Sequence, residues 1–414
     1  MTTERAWRRR RFLTAVSALG LAAGGCDALR EGLFNPCPPE PLPPRLAGHE
    51  LVRAAWEGVD PAGCWDCHVH LGGVGDGGGM VWLNPEMRSL LRPFEFAHTA
   101  LFLDGACVAS GSPQVDERYV ARLLSLQGAF PGGAKAMLLA LDAAYDDGGR
   151  LLADRTVLLV SNLYANGIHA RYPERFEWIA SVHPYRRDAV EALELAAQSG
   201  ARAVKWIPSL MNIDPASPRC DAFYAALARL DLPLLTHGGY EHPIRGSEEA
   251  LNSPARLRRA LDRGARVIVA HCATEGESAD PDAGGRPTAN FRLFARLMEE
   301  PAYAGRLFGD VSAIASFRNP ATLREILLRA EWHDRLLYGS DYPLPGILPM
   351  TSVEALAEQG FLDGAKVRTL LELRRYNPLL FDLVLKRHLR ADGRGFAPVL
   401  FQARGAFAPG RGGN

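Results

Sequence analysis

The chain of 414 residues is 47% hydrophobic, which is enough to bury a large core and excludes a chain that is disordered throughout. Its 47 Lys and Arg residues balance its 47 Asp and Glu residues, so the net charge is zero and no general basic field favours nucleic acid as a partner. Only four basic residues are lysines, at positions 135, 205, 366 and 386. Since Arg supplies positive charge almost everywhere else, a Lys at a chemically special position is informative.

The N-terminal segment has the layout of an export signal. Basic residues at 8–11 precede an apolar run at 12–23, which is too short for a comfortable transmembrane span and is followed by small residues. The sequence Arg-Arg-Arg-Phe-Leu resembles the twin-arginine export signature, and the small residues before Cys26 resemble a lipoprotein cleavage box. We predict a signal peptide over 1–26, ending either in a lipid-modified Cys26 or in ordinary cleavage near that residue. Both alternatives predict an exported protein of the periplasm or cell envelope, with the membrane as a partner only through this anchor.

Three further regions are expected after the signal peptide. Residues 27–50 are predicted to be a stiff Pro-rich linker. Residues 51–390 are predicted to form a single large domain. Residues 391–414 are rich in Gly and Arg without periodicity and are predicted to be a loose tail, although 396–401 is apolar enough to pack back onto the domain.

Short apolar runs alternate with amphipathic helical stretches through the central region. The eight runs cover residues 63–71, 134–141, 175–183, 201–207, 232–237, 265–271, 307–314 and 335–341. Near-continuous apolar strands that alternate with helices favour a parallel sheet covered by helices. Eight such units predict an α/β fold of the (β/α)8, or TIM, barrel type. A doubly wound open sheet is the second choice, because no glycine fingerprint for dinucleotide binding follows the first predicted strand.

The polar residues with chemical potential lie in or at the ends of these predicted strands, namely His68, His70, Lys205, His237, His271 and Asp341. In a barrel the carboxyl ends of all strands meet at one rim, so we expect these side chains to lie close together. Side chains alternate along a strand, so Asp66, His68 and His70 are expected to share one face. Three imidazoles and a carboxylate would suit a catalytic divalent metal with an open coordination position.

Four motifs, in this order along the chain, resemble those of the amidohydrolase superfamily. They are Asp66-x-His68-x-His70, Thr236-His237-Gly238, Ala270-His271-Cys272 and Gly339-Ser340-Asp341-Tyr342-Pro343. The resemblance covers about residues 64–381. It is closest to the branch that holds the aminocarboxymuconate semialdehyde and γ-resorcylate decarboxylases, which the sequence Tyr-Pro-Glu-Arg-Phe at 172–176 also resembles.

The resemblance implies a role for each motif residue. One divalent metal, expected to be Zn²⁺, would be held by His68, His70, His237 and Asp341. His271 would be the acid/base or substrate-polarising residue, and Asp341 or His271 would pass a proton to the leaving group. The implied activity is hydrolysis of a C–N or C–O bond in a small molecule, such as an amide, lactone or ester.

Lys205 has two interpretations. In some amidohydrolases a lysine of the fourth strand is carboxylated and bridges two metals, so a second metal is expected here only if Lys205 is modified in that way. The simpler interpretation, which we favour, is a lysine that pairs with Asp341 or with a carboxylate of the substrate.

Two other functions stay open. A metal-dependent, non-oxidative decarboxylase of an aromatic or unsaturated acid would use the same site. An exported binding protein or c-type haem protein is a more distant alternative, because Cys64-Trp65-Asp66-Cys67-His68 matches the haem-attachment pattern. On a strand, Cys64 and Cys67 would point to opposite faces, which disfavours both haem attachment and a disulfide between them.

The substrate-binding surface is predicted on the loops that follow the strands. The candidates for contact with a small aromatic or carboxylated substrate are His183, Trp206, Tyr240 and Arg318, and packing within the loops is an equal alternative. Cysteines 37, 107, 220 and 272 could pair in an exported protein, but the sequence does not say which of them do. Assembly into a homo-oligomer is also open.

Overall fold

The structure is a computed structural model that describes residues 35–109, 111–240, 247–315 and 319–408. The predicted signal peptide, the predicted lipidation site Cys26 and the candidate substrate residue Arg318 therefore lie outside the described residues. In the ranges that are described, none of the helices has the length and apolar character needed to cross a bilayer.

Strands and helices alternate through most of the described chain. The strands are β1 (Trp65–His70), β2 (Val81–Leu83), β3 (Lys135–Leu139), β4 (Leu158–Val160), β5 (Phe176–Ile179), β6 (Val204–Trp206), β7 (Leu234–His237), β8 (Val267–Ala270), β9 (Glu277–Asp280), β10 (Arg286–Ala289), β11 (Leu307–Asp310) and β12 (Leu336–Leu337). The helices are α1 (Pro44–Ala47), α2 (Glu50–Ala55), α3 (Pro93–Gly105), α4 (Val115–Gln127), α5 (Asn162–Arg171), α6 (Ala189–Gln198), α7 (Pro208–Met211), α8 (Asp221–Leu230), α9 (Arg258–Asp262), α10 (Asn290–Glu299), α11 (Pro320–Leu328), α12 (Val353–Glu358), α13 (Val367–Tyr376), α14 (Pro378–His388) and α15 (Arg404–Phe407).

Eight of these strands form a closed parallel barrel. Hydrogen bonds give the order β1-β3-β5 in one sheet and β6-β7-β8-β11-β12 in another. Parallel bridges between Ala180 and Val204 and between Val69 and Tyr342 join the two sheets at both of their edges. The eight predicted strands and the (β/α)8 barrel are confirmed. The open doubly wound sheet is wrong, because the sheet closes on itself through these bridges.

An extra residue in β1 sets the direction of its side chains. Asp66 and Val69 are three residues apart, yet their partners in β3 are only two residues apart. Such a bulge interrupts the two-residue alternation of a strand. His68 and His70 consequently face the mouth of the barrel, whereas Asp66 accepts a hydrogen bond from the backbone of Ser340 at 2.8 Å. The prediction that Asp66 shares a face with the two histidines is wrong for this reason.

The end of the chain closes the floor of the barrel. An apolar cluster fills the interior and is made by Trp65, Cys67, Met137, Leu139, Ile179, Ala203, Leu235, Ile268 and Leu337, together with Ala403 and Phe407 from the chain end. Leu400 and Phe401 are also fully buried. Residues 391–408, the described part of the predicted tail, are therefore packed rather than loose, because they cover apolar surface that water would otherwise reach.

A disulfide joins the N-terminal flank to the barrel. Cys37 is bonded to Cys107, which lies just after α3, and the backbone N–H of Asn35 donates to Oδ2 of Asp104 at 3.2 Å. Leu46 of α1 is buried as well. From residue 35 onward, the segment predicted as a linker therefore belongs to the folded body. The other described cysteines are free and buried, namely Cys64, Cys67, Cys220 and Cys272.

Candidate metal centre

Four histidines and an aspartate meet at the carboxyl end of the barrel. His68 and His70 lie at the end of β1, His237 ends β7, His271 follows β8, and Asp341 follows β12. The ring centre of His68 lies 5.1 Å from that of His70, 5.8 Å from that of His237 and 5.1 Å from that of His271. The structure thus brings together five site residues that the sequence places on four different strands.

His68 is the buried centre of this group. Its Nδ1 atom lies 2.9 Å from Oδ2 of Asp310, and its Nε2 atom lies 3.0 Å from Nζ of Lys205. A carboxylate accepts hydrogen bonds, so Nδ1 carries the proton and the lone pair on Nε2 points towards the other site residues. Burial, and then the charge of Lys205, lower the pKa of His68 to about 3, which keeps the imidazole neutral as a metal ligand must be.

Asp341 lies between three of the histidines. Its Oδ1 atom is 3.1 Å from Nε2 of His70 and 3.5 Å from Nε2 of His68, and its Oδ2 atom is 3.7 Å from Nε2 of His271. Burial alone would raise the pKa of Asp341, but the neighbouring histidines outweigh burial and hold this pKa well below its usual range. The side chain is therefore an ionised carboxylate that lies within 3.7 Å of the ring nitrogens of His68, His70 and His271.

Asp310 and Ser312 connect His68 with His271, and no motif in the sequence pointed to either residue. The Ser312 hydroxyl lies 3.1 Å from Nδ1 of His68 and 2.8 Å from Nδ1 of His271, and it donates to Asp310. The backbone N–H of His271 also donates to Asp310, at 3.0 Å. Both residues lie within the seventh predicted strand at 307–314, where Asp310 ends β11, and that position was the only signal in the sequence that could have found them.

The Asp310 carboxylate is strongly held in its ionised form. Burial would raise its pKa, but the contact with His68 outweighs burial and moves the pKa far below its usual range. A carboxylate behind a histidine fixes the proton and the orientation of that ring, which is the usual arrangement around metal-binding histidines.

Lys205 lies inside the group rather than at its edge. It belongs to β6, is fully buried, and reaches Nε2 of His68. The two carboxylates of Asp310 and Asp341 outnumber this single lysine. An excess of negative charge in a buried site favours a bound cation.

The backbone at two site residues has an uncommon conformation. His271 has φ of 55° and Asp341 has φ of 63°, in the left-handed region that side chains other than Gly seldom adopt. Such residues cost of order 1–3 kcal/mol each and persist only where the surrounding structure holds them. The Asp341 N–H donates to the carbonyl of His68 at 2.8 Å, which ties this strained residue to β1. Strain of this kind clusters at functional sites.

The geometry fits a metal ion. The ligand atoms of His68, His70 and His237 all lie within 4.8 Å of one another, and a second such set consists of His68, His271 and Asp310. Neutral imidazoles together with a carboxylate are the usual donors for zinc and for other divalent transition metals. The group could therefore bind a metal with little rearrangement of its side chains.

Asp66 supports the site from the outer side of β1. Its Oδ1 atom accepts hydrogen bonds from the backbone N–H of His68 at 3.2 Å and from that of Ser340 at 2.8 Å. Burial raises the pKa of this carboxyl to about 7. Next to it, buried Lys386 pairs with Asp382 at 2.6 Å. Asp66 thus holds together the two chain segments that carry His68 and Asp341.

The candidate substrate residues are distributed differently from the metal-site residues. Trp206 is fully buried on the outer side of β6, where its Nε1 donates to the carbonyl of Val182 at 2.9 Å. The ring nitrogens of His183 are bonded to the carbonyl of Met211 at 2.8 Å and to the N–H of Tyr185 at 3.1 Å. Both side chains are fully buried and hydrogen-bonded to the backbone, which favours the packing alternative over contact with a substrate. Tyr240, just beyond β7, is 43% exposed and remains a candidate.

The haem alternative does not fit the structure. Cys64 packs in the outer apolar layer and Cys67 in the barrel interior, and both are buried. Two thiols on opposite sides of one strand cannot hold a single porphyrin, and the ring of His68 is already engaged by Asp310.

A family model described as amidohydrolase, Amidohydro_2, matches residues 65–359. This range contains the five residues that meet at the mouth together with Lys205, Asp310 and Ser312. No curated protein sequence matches the chain.

Several solved structures are similar to the chain at low identity. An uncharacterized TIM-barrel protein from Bordetella bronchiseptica is 15% identical, with 72% of this chain and 91% of that chain covered and a TM-score of 0.46. A 5-carboxyvanillate decarboxylase from Novosphingobium aromaticivorans, with bound manganese, is 14% identical over 74% and 93% of the two chains, with a TM-score of 0.40. A 5-methylcytosine deaminase from Klebsiella pneumoniae is 15% identical over 81% and 77%, with a TM-score of 0.38. At these values the likenesses assign no activity to this chain.

Proposed function

The chain belongs to the amidohydrolase family, and from this premise we propose that it is a metal-dependent hydrolase that cleaves a C–N or C–O bond of a small molecule with an activated water. Amides, lactones and esters are the substrate classes that suit this chemistry. The observation that carries the proposal is the convergence of His68, His70, His237 and Asp341 at the barrel mouth, with His271 beside them.

The metal would be held by His68, His70, His237 and Asp341, and we propose Zn²⁺ as the ion. A divalent ion bound there would polarise the substrate and bring the pKa of a water molecule towards neutrality. The neutral state of His68 and the ionised state of Asp341 support this ligand set, since both residues present lone pairs.

We propose that His271 and Asp341 transfer the proton from the attacking water to the leaving group. The Nδ1 of His271 faces the Ser312 hydroxyl and carbonyl, at 2.8 and 3.1 Å, so the proton on Nδ1 is held there. Its Nε2 atom then faces Asp341, at 3.7 Å from Oδ2. A proton taken from the attacking water by Asp341 could pass to His271 and from there to the leaving group, which general acid/base catalysis requires.

A second candidate is the decarboxylase, and the position of Lys205 favours it. A fully buried lysine at the mouth, 3.0 Å from His68, suits a substrate that itself carries a carboxylate. The same position leaves room for the proposal that a carboxylated Lys205 joins two metals. Elemental analysis distinguishes an unmodified Lys205 from a carboxylated one. One metal ion per chain supports an unmodified lysine, and two ions support a lysine that bridges them.

The variant His271→Ala tests the proposed mechanism. We expect kcat to fall by about 10²–10⁴-fold while the metal content stays at the wild-type value, since His271 would handle protons without holding the ion. His49→Ala, which changes a helix-capping histidine in the N-terminal flank, is the control and should keep kcat. Loss of the metal from His271→Ala would assign His271 to the ligands and overturn its proposed role.

The type of reaction needs its own assay. The metal-loaded enzyme is offered lactones, esters and amides, and separately hydroxybenzoate-type acids, with CO2 release measured on the acids. Hydrolysis without CO2 release supports the hydrolase. CO2 release that depends on Lys205 would overturn the hydrolase proposal and support the decarboxylase.

We also propose that the protein works in the periplasm or at the cell envelope, after export through its N-terminal signal. The disulfide between Cys37 and Cys107 supports this location, because such bonds persist in oxidising compartments. Cell fractionation tests it, and recovery of the protein with reduced thiols in the cytoplasm would contradict it. Labelling with radioactive palmitate, compared between the native chain and Cys26→Ser, tests the lipid anchor.

A further inference from the structure

An exposed apolar surface lies on the insertion between β1 and β3. Of the ten large apolar side chains that are exposed in the described part of the chain, five come from residues 80–94. Leu90 and Leu91, just before α3, are 79% and 91% exposed, and Met80 and Trp82 are more than one third exposed. Single exposed leucines are common on soluble proteins, but such a concentration usually marks an interaction site. We call Met80, Trp82, Leu90 and Leu91 the insertion surface.

We propose that the insertion surface rests in the interfacial region of a lipid bilayer. Two exposed arginines, Arg88 and Arg92, flank the pair of leucines, and Arg92 also forms an exposed ion pair with Glu86 at 3.5 Å. Leucine and tryptophan side chains enter the boundary between headgroups and acyl chains, and arginines beside them reach the lipid phosphates. Anionic lipids add to this attraction. The proposal concerns contact with a membrane rather than catalysis, so it goes beyond the proposed hydrolase activity and does not depend on it.

The position at which the described chain begins favours a bilayer as the partner of the insertion surface. The backbone N–H of Asn35 is hydrogen-bonded to Asp104 in the last turn of α3, whereas the leucine pair lies just before the other end of this helix. A helix of 13 residues is about 20 Å long, and the leucine pair precedes it by two to three residues, so the pair lies within about 30 Å of the start of the described chain. The predicted lipidation site Cys26 precedes Asn35 by nine residues, which span at most about 30 Å. An anchor at Cys26 therefore keeps the insertion surface within reach of the membrane that holds the anchor.

Fluorescence quenching by brominated lipids tests the proposal on the full chain. The variants Leu91→Trp and Leu195→Trp are reconstituted separately into phosphatidylcholine–phosphatidylglycerol vesicles whose acyl chains carry bromine. Leu195 is the matched control because it is 64% exposed on α6, far from the insertion in the sequence. Any N-terminal anchor holds both variants at the membrane, so the readout depends on the depth of each new indole. We expect loss of the added fluorescence for Leu91→Trp and no loss for Leu195→Trp.

Two results would overturn the proposal. An added fluorescence that is unquenched in Leu91→Trp, or quenched equally in both variants, would show that residue 91 does not enter the bilayer in preference to residue 195. Shielding of the residue 91 indole from water before any vesicles are added would show that something else covers the surface. A dependence of this shielding on protein concentration would then identify a second copy of the chain, and its absence would identify the apolar run of residues 12–23.

Discussion

The Nδ1 atom of His68 lies 2.9 Å from Oδ2 of Asp310, although 242 positions separate the two residues in the sequence. This contact determines which nitrogen of His68 carries the proton and therefore which nitrogen faces the mouth of the barrel. It also joins the first strand of the barrel to the seventh, so that the ring cannot turn without breaking a buried, charge-assisted bond.

Asp310→Asn is expected to weaken metal binding by about 10–100-fold, the usual effect of removing a carboxylate behind a metal-binding histidine. The amide keeps the shape of the side chain but loses the charge that fixes the proton on Nδ1 of His68. Competition with a chromophoric chelator measures the affinity. Asp334→Asn, at an exposed position, is the control. Unchanged affinity in Asp310→Asn would mean that this contact does not tune the site.

Ser312→Ala removes the hydroxyl that lies 2.8 Å from Nδ1 of His271 and 3.1 Å from Nδ1 of His68. We expect kcat to fall by about tenfold, which is less than complete loss of an acid/base group would cause, while the metal content changes little. Steady-state kinetics detects the change, because a His271 ring without this hydrogen bond is no longer held in one orientation. Ser199→Ala, in a helix cap outside the barrel, should behave as wild type. A change only in thermal stability would reduce Ser312 to a structural role.

Asp66→Ala and Asp66→Asn are expected to differ. Alanine leaves the N–H groups of His68 and Ser340 without their acceptor, and each buried, unsatisfied group costs about 1–3 kcal/mol. Asparagine keeps an acceptor oxygen, and a neutral side chain suits a position where burial raises the carboxyl pKa to about 7. Urea unfolding should therefore give Asp66→Asn a stability between those of the wild type and Asp66→Ala. Equal losses in both variants would show that the charge, and not the acceptor, matters.

The ion pairs of Glu177 should make the stability of the fold depend on pH. It is buried and accepts hydrogen bonds from Lys135 at 2.6 Å and from Arg202 at 2.9 Å. Burial alone would raise the pKa of Glu177, but the two cations outweigh burial and lower it. A carboxyl whose pKa is lower in the folded state stabilises the protein at pH values above its unfolded pKa of about 4.3, and this stability is lost as the pH falls through the folded pKa.

Glu177→Gln should therefore lower the free energy of unfolding by about 1–3 kcal/mol at pH 7, where partial exposure of the two cations limits the penalty. The loss should be much smaller at pH 3, because the wild-type protein has by then lost part of the same stabilisation. Urea unfolding at the two pH values measures this difference. Glu331→Gln, with a largely exposed side chain, should change stability little at either pH. An equal loss for Glu177→Gln at pH 7 and pH 3 would contradict the ion-pair explanation.

Breaking the disulfide should loosen the N-terminal flank. Cys37 and Cys107 enclose a loop of 70 positions, and removal of a native disulfide typically costs about 2–5 kcal/mol. The double variant Cys37→Ala/Cys107→Ala is expected to show a lower Tm in calorimetry. A reductant should lower the Tm of the wild type but not that of the double variant. A wild-type Tm that is insensitive to reductant would show that the bond is not a source of stability.

The order of the strands could be read from the sequence because each apolar run is local. A strand buried on both faces is a short stretch of apolar residues that ends in polar ones, and this pattern does not depend on distant partners. His237 and Asp341 stand at such ends, so the closed barrel brings their side chains to one rim. The family could also be recognised, since the motifs that carry the chemistry are short and keep their order along the chain.

Other features depended on contacts between distant segments. The bulge that turns Asp66 away from His68 is a mismatch of register between two strands, and neither strand shows it alone. Asp310 and Ser312 look like the polar end of any strand until the barrel closes and places them behind two histidines.

The sequence by itself thus determined the strands and the family, and it predicted the residues that we propose as metal ligands, because these follow from local patterns. Only the tertiary structure decided which cysteines pair, which side chains line the mouth and that the chain end covers the floor. Each of these features depends on contacts between distant parts of the chain, and only the folded barrel brings those parts together.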